Sequence, residues 1–178
     1  LVVGAHGAKK AFIFKKDGSG DYPTTATAII SAYTGESNFG WSVALSSTHL
    51  VVGASGAKKV FIFKTDSSGD YPTTATANIT VDEGSKPSAI ALSETHLAIG
   101  VRLPQTPDAT TQSGGPDQGP ASHIPESGKV LIFRKDASGD YPTTATTTIT
   151  AYTGESKFGR NVALSSTHLV VGAYGAKK

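Results

Sequence analysis

The sequence predicts an all-β chain of repeated four-stranded antiparallel units, on three observations. One passage is written several times. Residues 37–64, SNFGWSVALSSTHLVVGASGAKKVFIFK, return in their first part at 156–178 and in their second part at 1–15. Residues 85–100, SKPSAIALSETHLAIG, are a worn copy of the same passage. Within each copy, short apolar and β-branched runs are separated by Gly, Ser, Asp and Pro turn signals. No amphipathic helical stretch interrupts them.

The spacing of the copies fixes the unit. Leu1 to Leu50 spans 49 residues and Leu50 to Leu97 spans 47. Leu97 to Leu169 spans 72, which is 47 plus an insertion of about 25. Asp-Tyr-Pro, at Asp21, Asp70 and Asp140, keeps the same phase. A fixed period of this length marks a solenoid or a propeller.

Each unit offers four strand-like segments. The first is short and rich in small residues, Ser42 to Leu45 and its copies at 89–92 and 161–164. The second, Leu50 to Ala54, follows the turn Ser46-Ser47-Thr48-His49. The third, Val60 to Phe63, carries the aromatic and β-branched residues that suit a buried pleated surface. The fourth, Thr73 to Thr80, alternates Thr with Ala or Ile and fits a strand with one wet face. Asp-x-Ser-Gly-Asp joins third to fourth, where Asp and Gly initiate turns and accept positive φ. Four such strands per unit predict a β-propeller, with the first strand at the axis and the fourth at the rim.

Phe39-Gly40, Ser42-Val43-Ala44 and Val51-Val52-Gly53-Ala54, with Phe158-Gly159 and Val170-Val171-Gly172-Ala173, resemble the FG-GAP repeat. The copy at Ser85 departs, with Lys86-Pro87 in place of Phe-Gly. The resemblance implies a propeller that is seven-bladed when complete, as in integrin α chains, and about half a ring here. The expected division is an incomplete blade over 1–36, blades over 37–85 and 86–152, the latter with an insertion at 102–127, and an incomplete blade over 153–178. With no Met and with both ends inside a repeat, the sequence is expected to be a window of a longer chain.

Composition bounds the partners. The 16 basic and 14 acidic residues nearly balance, so nucleic acid is not expected as a partner. With no Cys, disulfides and thiolate metal sites are excluded. No apolar run spans a bilayer. Neither cofactor nor catalytic motif is expected. The Asp pairs Asp17/Asp21, Asp66/Asp70 and Asp136/Asp140 alternate oxygen ligands in a Gly-containing loop, a calcium-like pattern. The resemblance places calcium ligands elsewhere, between first and second strands, so a turn capped by Asp is the expected reading. His49, His96 and His168 are expected to pack on their own blades. The Lys pairs at 9–10, 58–59 and 177–178, with Lys129, form either a basic arc or a solvated flank. The Pro- and Gly-rich insertion and the nearby first-strand entry supply the recognition candidates Arg102, His123 and Trp41. Asn78 opens a glycosylation sequon. The expected function is a non-enzymatic extracellular or cell-surface adhesion or recognition module, with a protein or glycan partner. Two alternatives are a self-assembling filament subunit completed by other copies or flanking blades, and a propeller-type glycan hydrolase. The hydrolase needs paired carboxylates near the axis, and the first strands carry none.

Overall fold

The computed structural model describes residues 1–32, 35–104, 128–151 and 157–174. These form thirteen strands and no helix: β1 (Val2–Ala5), β2 (Lys10–Ile13), β3 (Ala28–Ser31), β4 (Phe39–Leu45), β5 (His49–Ala54), β6 (Lys59–Lys64), β7 (Ala77–Thr80), β8 (Lys86–Leu92), β9 (His96–Arg102), β10 (Gly128–Arg134), β11 (Thr147–Thr150), β12 (Phe158–Leu164) and β13 (Leu169–Ala173). All ladders are antiparallel and join neighbours in sequence. They give two four-stranded sheets, β4-β5-β6-β7 and β8-β9-β10-β11, flanked by the three-stranded β1-β2-β3 and the two-stranded β12-β13. These are partial propeller blades, and the four sheets do not close into a ring.

Turn chemistry makes the meander. In the second-to-third turn, Ala57 N donates to Ala54 O at 3.1 Å and Lys58 takes a left-handed φ of 58°. In the third-to-fourth turn, Asp66 Oδ1 accepts from Ser68 N at 2.8 Å and Asp70 N at 3.1 Å. Gly69 closes that turn at φ 75°, a region glycine enters freely.

Two expected strand limits change. The fourth strand begins at Ala77, not Thr73, because Thr76 ends the ladder: its N–H reaches Ile62 O at 2.8 Å and its Oγ1 accepts from Lys64 N at 3.1 Å. The first strand begins earlier, at Phe39, and contains a bulge between Phe39 and Ser42. Arg102, expected to open the insertion, still pairs with Gly128 at the end of β9.

The core lies between sheets. Along β5, alternate side chains face opposite neighbours. Leu50 and Val52 join a cluster with Ala11, Ile13 and Ile30 of the first sheet. Val51 joins Ile90, Leu97 and Ile99 of the third. A strand covered on both faces reads as a continuous apolar run, and all of β5 is buried. A third cluster joins Ala98 and Val130 to Phe158 of the fourth sheet.

Candidate functional site

The inner strands set the site. In β4 the ladder runs Phe39 to Ala54 and then Ser42 to Gly53, leaving Gly40 and Trp41 unpaired. In β12 it runs Phe158 to Ala173 and then Asn161 to Gly172, leaving Gly159 and Arg160 unpaired. Glycine at positive φ, 85° in Gly40 and 77° in Gly159, makes each bulge. The next residue is turned outward, so Trp41 is 47% exposed and Arg160 is exposed. β8 differs: Pro87 pairs with Val101 and Ala89 with Gly100, leaving only Ser88 unpaired. All three strands have seven residues, so Ser88 stands at the place of Trp41 and Arg160, and β8 sets this small side chain between those two large ones.

A cleft of about 420 Å³ occupies that place. β4 and its approach contribute Asn38 and Trp41. β8 contributes Lys86, Pro87 and Ser88, and the end of β9 contributes Arg102. The fourth sheet contributes Lys157, Phe158, Arg160 and Asn161, and Ser55 completes the wall. Among the described residues, four cations line the cleft and no carboxylate, imidazole or thiol does. Among the described residues, none of Lys86, Arg102 and Arg160 pairs with a carboxylate. The Lys157 ammonium lies 5.1 Å from the Tyr174 ring centroid. The Trp41 indole leans on the His6 ring, with centroids 5.0 Å apart.

Of the recognition candidates, Arg102 and Trp41 meet in this cleft, while His123 falls outside the described residues. Lys86, Lys157 and Arg160 were not singled out from the sequence. Their signal was available: they stand at or beside the Phe-Gly position of the divergent and terminal copies.

The other candidates lie elsewhere. Asp17, Asp66 and Asp136 each cap their own turn, with Oδ1 accepting two backbone N–H groups. Asp70 and Asp140 reach the preceding sheet, where Lys15 and Lys64 each approach a carboxylate oxygen to 2.7 Å. Among the described residues, no three His, Cys, Asp or Glu side chains come together. Lys59 pairs with Glu36 at 3.0 Å and Lys129 pairs with Asp82, so both face their own blade's entry segment. Lys177 and Lys178 lie outside the described residues. Asn78 is exposed on β7, at the outer edge of its sheet.

His49 does not pack on its own blade alone. It is 1% exposed, and its ring stands edge-on to Tyr141 of the next sheet, 5.1 Å between centroids. Burial first, then the Lys135 and Lys64 cations, lowers its pKa to about 4. Burial likewise pushes the Tyr141 hydroxyl up, and that hydroxyl donates to Ser93 O at 3.3 Å. The group is a seam between blades, 4.0 Å from His49 Nε2 to Asp140 Oδ1.

The Phe-Gly pair has its own seam role. Phe39 is fully buried with its ring 5.6 Å from that of Phe61. A Cβ on Gly40 would overlap the Lys10 carbonyl of the preceding sheet. Gly100 and Gly128 face β12 in the same way, against the Gly159 and Phe158 carbonyls. Residues 25–70 match the FG-GAP repeat. The chain carries an FG-GAP repeat. No curated protein matches the chain. In the FG-GAP unit, the Phe fills the space between blades and the following Gly lets two backbones touch. The glycine of Val-Gly-Ala takes the other side of that contact.

Proposed function

We propose that the chain is a non-enzymatic extracellular recognition module, with binding at the cleft between β4, β8 and β12. The observation that carries this reading is the convergence of four cations and an exposed Trp where the middle blade has only the small Ser88 in its bulge. FG-GAP repeats form propeller-type recognition and adhesion scaffolds, and loops on a rigid scaffold are common binding elements. Among the described residues the cleft is lined by no carboxylate or imidazole to serve as general acid or base, which weighs against the hydrolase reading. An exposed sequon at Asn78 fits a secreted protein, and the intact mass of natively produced protein tests it. The recognition reading is tested on arrays of proteins and glycans. Signals should vanish with a Trp41→Ala/Arg102→Gln double variant. Signals that all survive in a folded double variant overturn the assignment to this cleft.

A second reading rests on the outer sheets. Val170 is 64% exposed, whereas its counterparts Val51 and Ala98 are fully buried. Val3 is 44% exposed, whereas its counterpart Val52 is fully buried. These two faces are the two sides of one blade seam, so copies of the chain, or further blades, fit them head to tail.

A further inference from the structure

We infer that the cleft between the inner strands takes an acidic oligosaccharide, one bearing carboxylate or sulfate groups; this rests on the recognition reading above. Three features of the lining point there together. Lys86, Arg102 and Arg160 present cations without a partner carboxylate among the described residues. Guanidinium groups suit planar carboxylate or sulfate oxygens, which they bind in bidentate fashion. Trp41 offers a flat apolar face, 47% exposed, beside those cations. The C–H face of a pyranose ring covers such a surface, and a large rigid aromatic loses little entropy on contact. Asn38 and Asn161 add amide donors and acceptors in the same wall, and sugar hydroxyls need both.

Competing ligands match less of this lining. A nucleic-acid strand calls for a long basic track with successive aromatic platforms, and here a single exposed indole stands in one cleft on a chain of net charge +2. An uncharged sugar leaves the cations idle.

The position of Trp41 and Arg160 strengthens the assignment. Both occupy the bulge, where no ladder partner constrains the side chain, and they flank the small Ser88 at the same place in β8. The space over Ser88 is bordered by an aromatic on one side and a guanidinium on the other. A ring stacked on Trp41 therefore has its acidic substituents directed to Arg102, Lys86 and Arg160.

The test is titration calorimetry of the full chain with four probes of matched length. They are a galacturonate octamer, a chondroitin sulfate octamer, maltooctaose and single-stranded oligo-dT. At least one acidic saccharide should bind tenfold or more tightly than maltooctaose and oligo-dT, more weakly as salt rises. Tighter binding of the chondroitin sulfate octamer, which carries both groups, shows that sulfate adds to recognition; tighter binding of the galacturonate octamer shows that carboxylate suffices. Arg102→Gln and Arg160→Gln should each weaken binding about tenfold, the scale of one charge-assisted hydrogen bond. Trp41→Ala should weaken it similarly and Trp41→Phe much less, while Lys9→Gln, outside the cleft, leaves it unchanged. Unfolding midpoints confirm that each variant folds; Trp41 and Arg160 are exposed, so their replacement spares the core. Equal affinity for oligo-dT or maltooctaose overturns the inference, as does binding indifferent to both Trp41→Ala and Arg160→Gln. Absence of saccharide binding, with array signals that still depend on Trp41 and Arg102, overturns the saccharide and keeps the recognition module. Absence of both overturns both.

Discussion

At the start of β5, His49 is sealed between two blades, with Thr48 Oγ1 2.8 Å from its Nδ1 and Tyr141 across the seam. Its pKa of about 4 in the fold lies below the ordinary 6.5. Between those values the unfolded chain binds a proton that the folded chain refuses, so stability rises with pH there. Acidification from pH 6.5 to 4 should therefore remove up to ~3 kcal/mol, with no further loss from this residue below pH 4. Urea unfolding across that range checks it, and His49→Gln should flatten the slope. The turn lysine makes a second residue-scale prediction. Lys58 has φ 58°, a conformation L-residues adopt at a cost. Lys58→Gly should stabilise by ~0.5 kcal/mol in thermal melts, the strain relieved being partly offset by glycine's entropy. The sequence told that His49 sits in a turn before a strand. It did not tell that the ring meets Tyr141, because that contact joins residues 92 positions apart across a blade boundary.

Strands and turns were the legible part, because their punctuation is local. Gly and Asp mark each third-to-fourth turn, and the apolar run of β5 announces a strand covered on both sides. The early end of β7 was hidden, because Thr76 looks like one more alternating Thr until its hydroxyl is seen taking the Lys64 amide. The seams between elements give a paired prediction. A Cβ on Gly100 would run into the Gly159 carbonyl, rigid backbone, so Gly100→Ala should cost ~3 kcal/mol. The equivalent Gly53 faces Ile90 Cδ1 at 3.2 Å, the end of a side chain that can rotate. Gly53→Ala should cost under ~1 kcal/mol. Denaturation midpoints of the two variants, read side by side, decide this, and equal losses would contradict it. The difference traces to sequence: the blade after Gly53 carries Lys86-Pro87 where the blade after Gly100 carries Phe158-Gly159.

On the scale of the whole molecule, the four stacked sheets leave unlike faces at their two ends, Val3 on one and Val170 on the other. A seam of the kind that buries Val51 and Val52 should form between copies at high protein concentration. Sedimentation velocity should show mass rising with concentration, and Val170→Lys should hold the chain monomeric. Constant mass across the range would argue against self-stacking. The repeat made this stack readable from the sequence, since identical units must pack alike. The cleft was legible only in part. Trp41 and Arg102 stood out by position, but the space between them arises where Pro87 and Ser88 of β8 replace the glycine and the large side chain of the other two bulges. That bulge has a wider consequence. Its outward residue belongs to no ladder, so replacing it leaves strand register untouched. Each blade thus holds one slot at the inner face that is independent of folding. Trp in one blade, Arg in another and Ser in the blade between form a three-character message on a uniform scaffold, and rewriting one character changes what is read without changing the page.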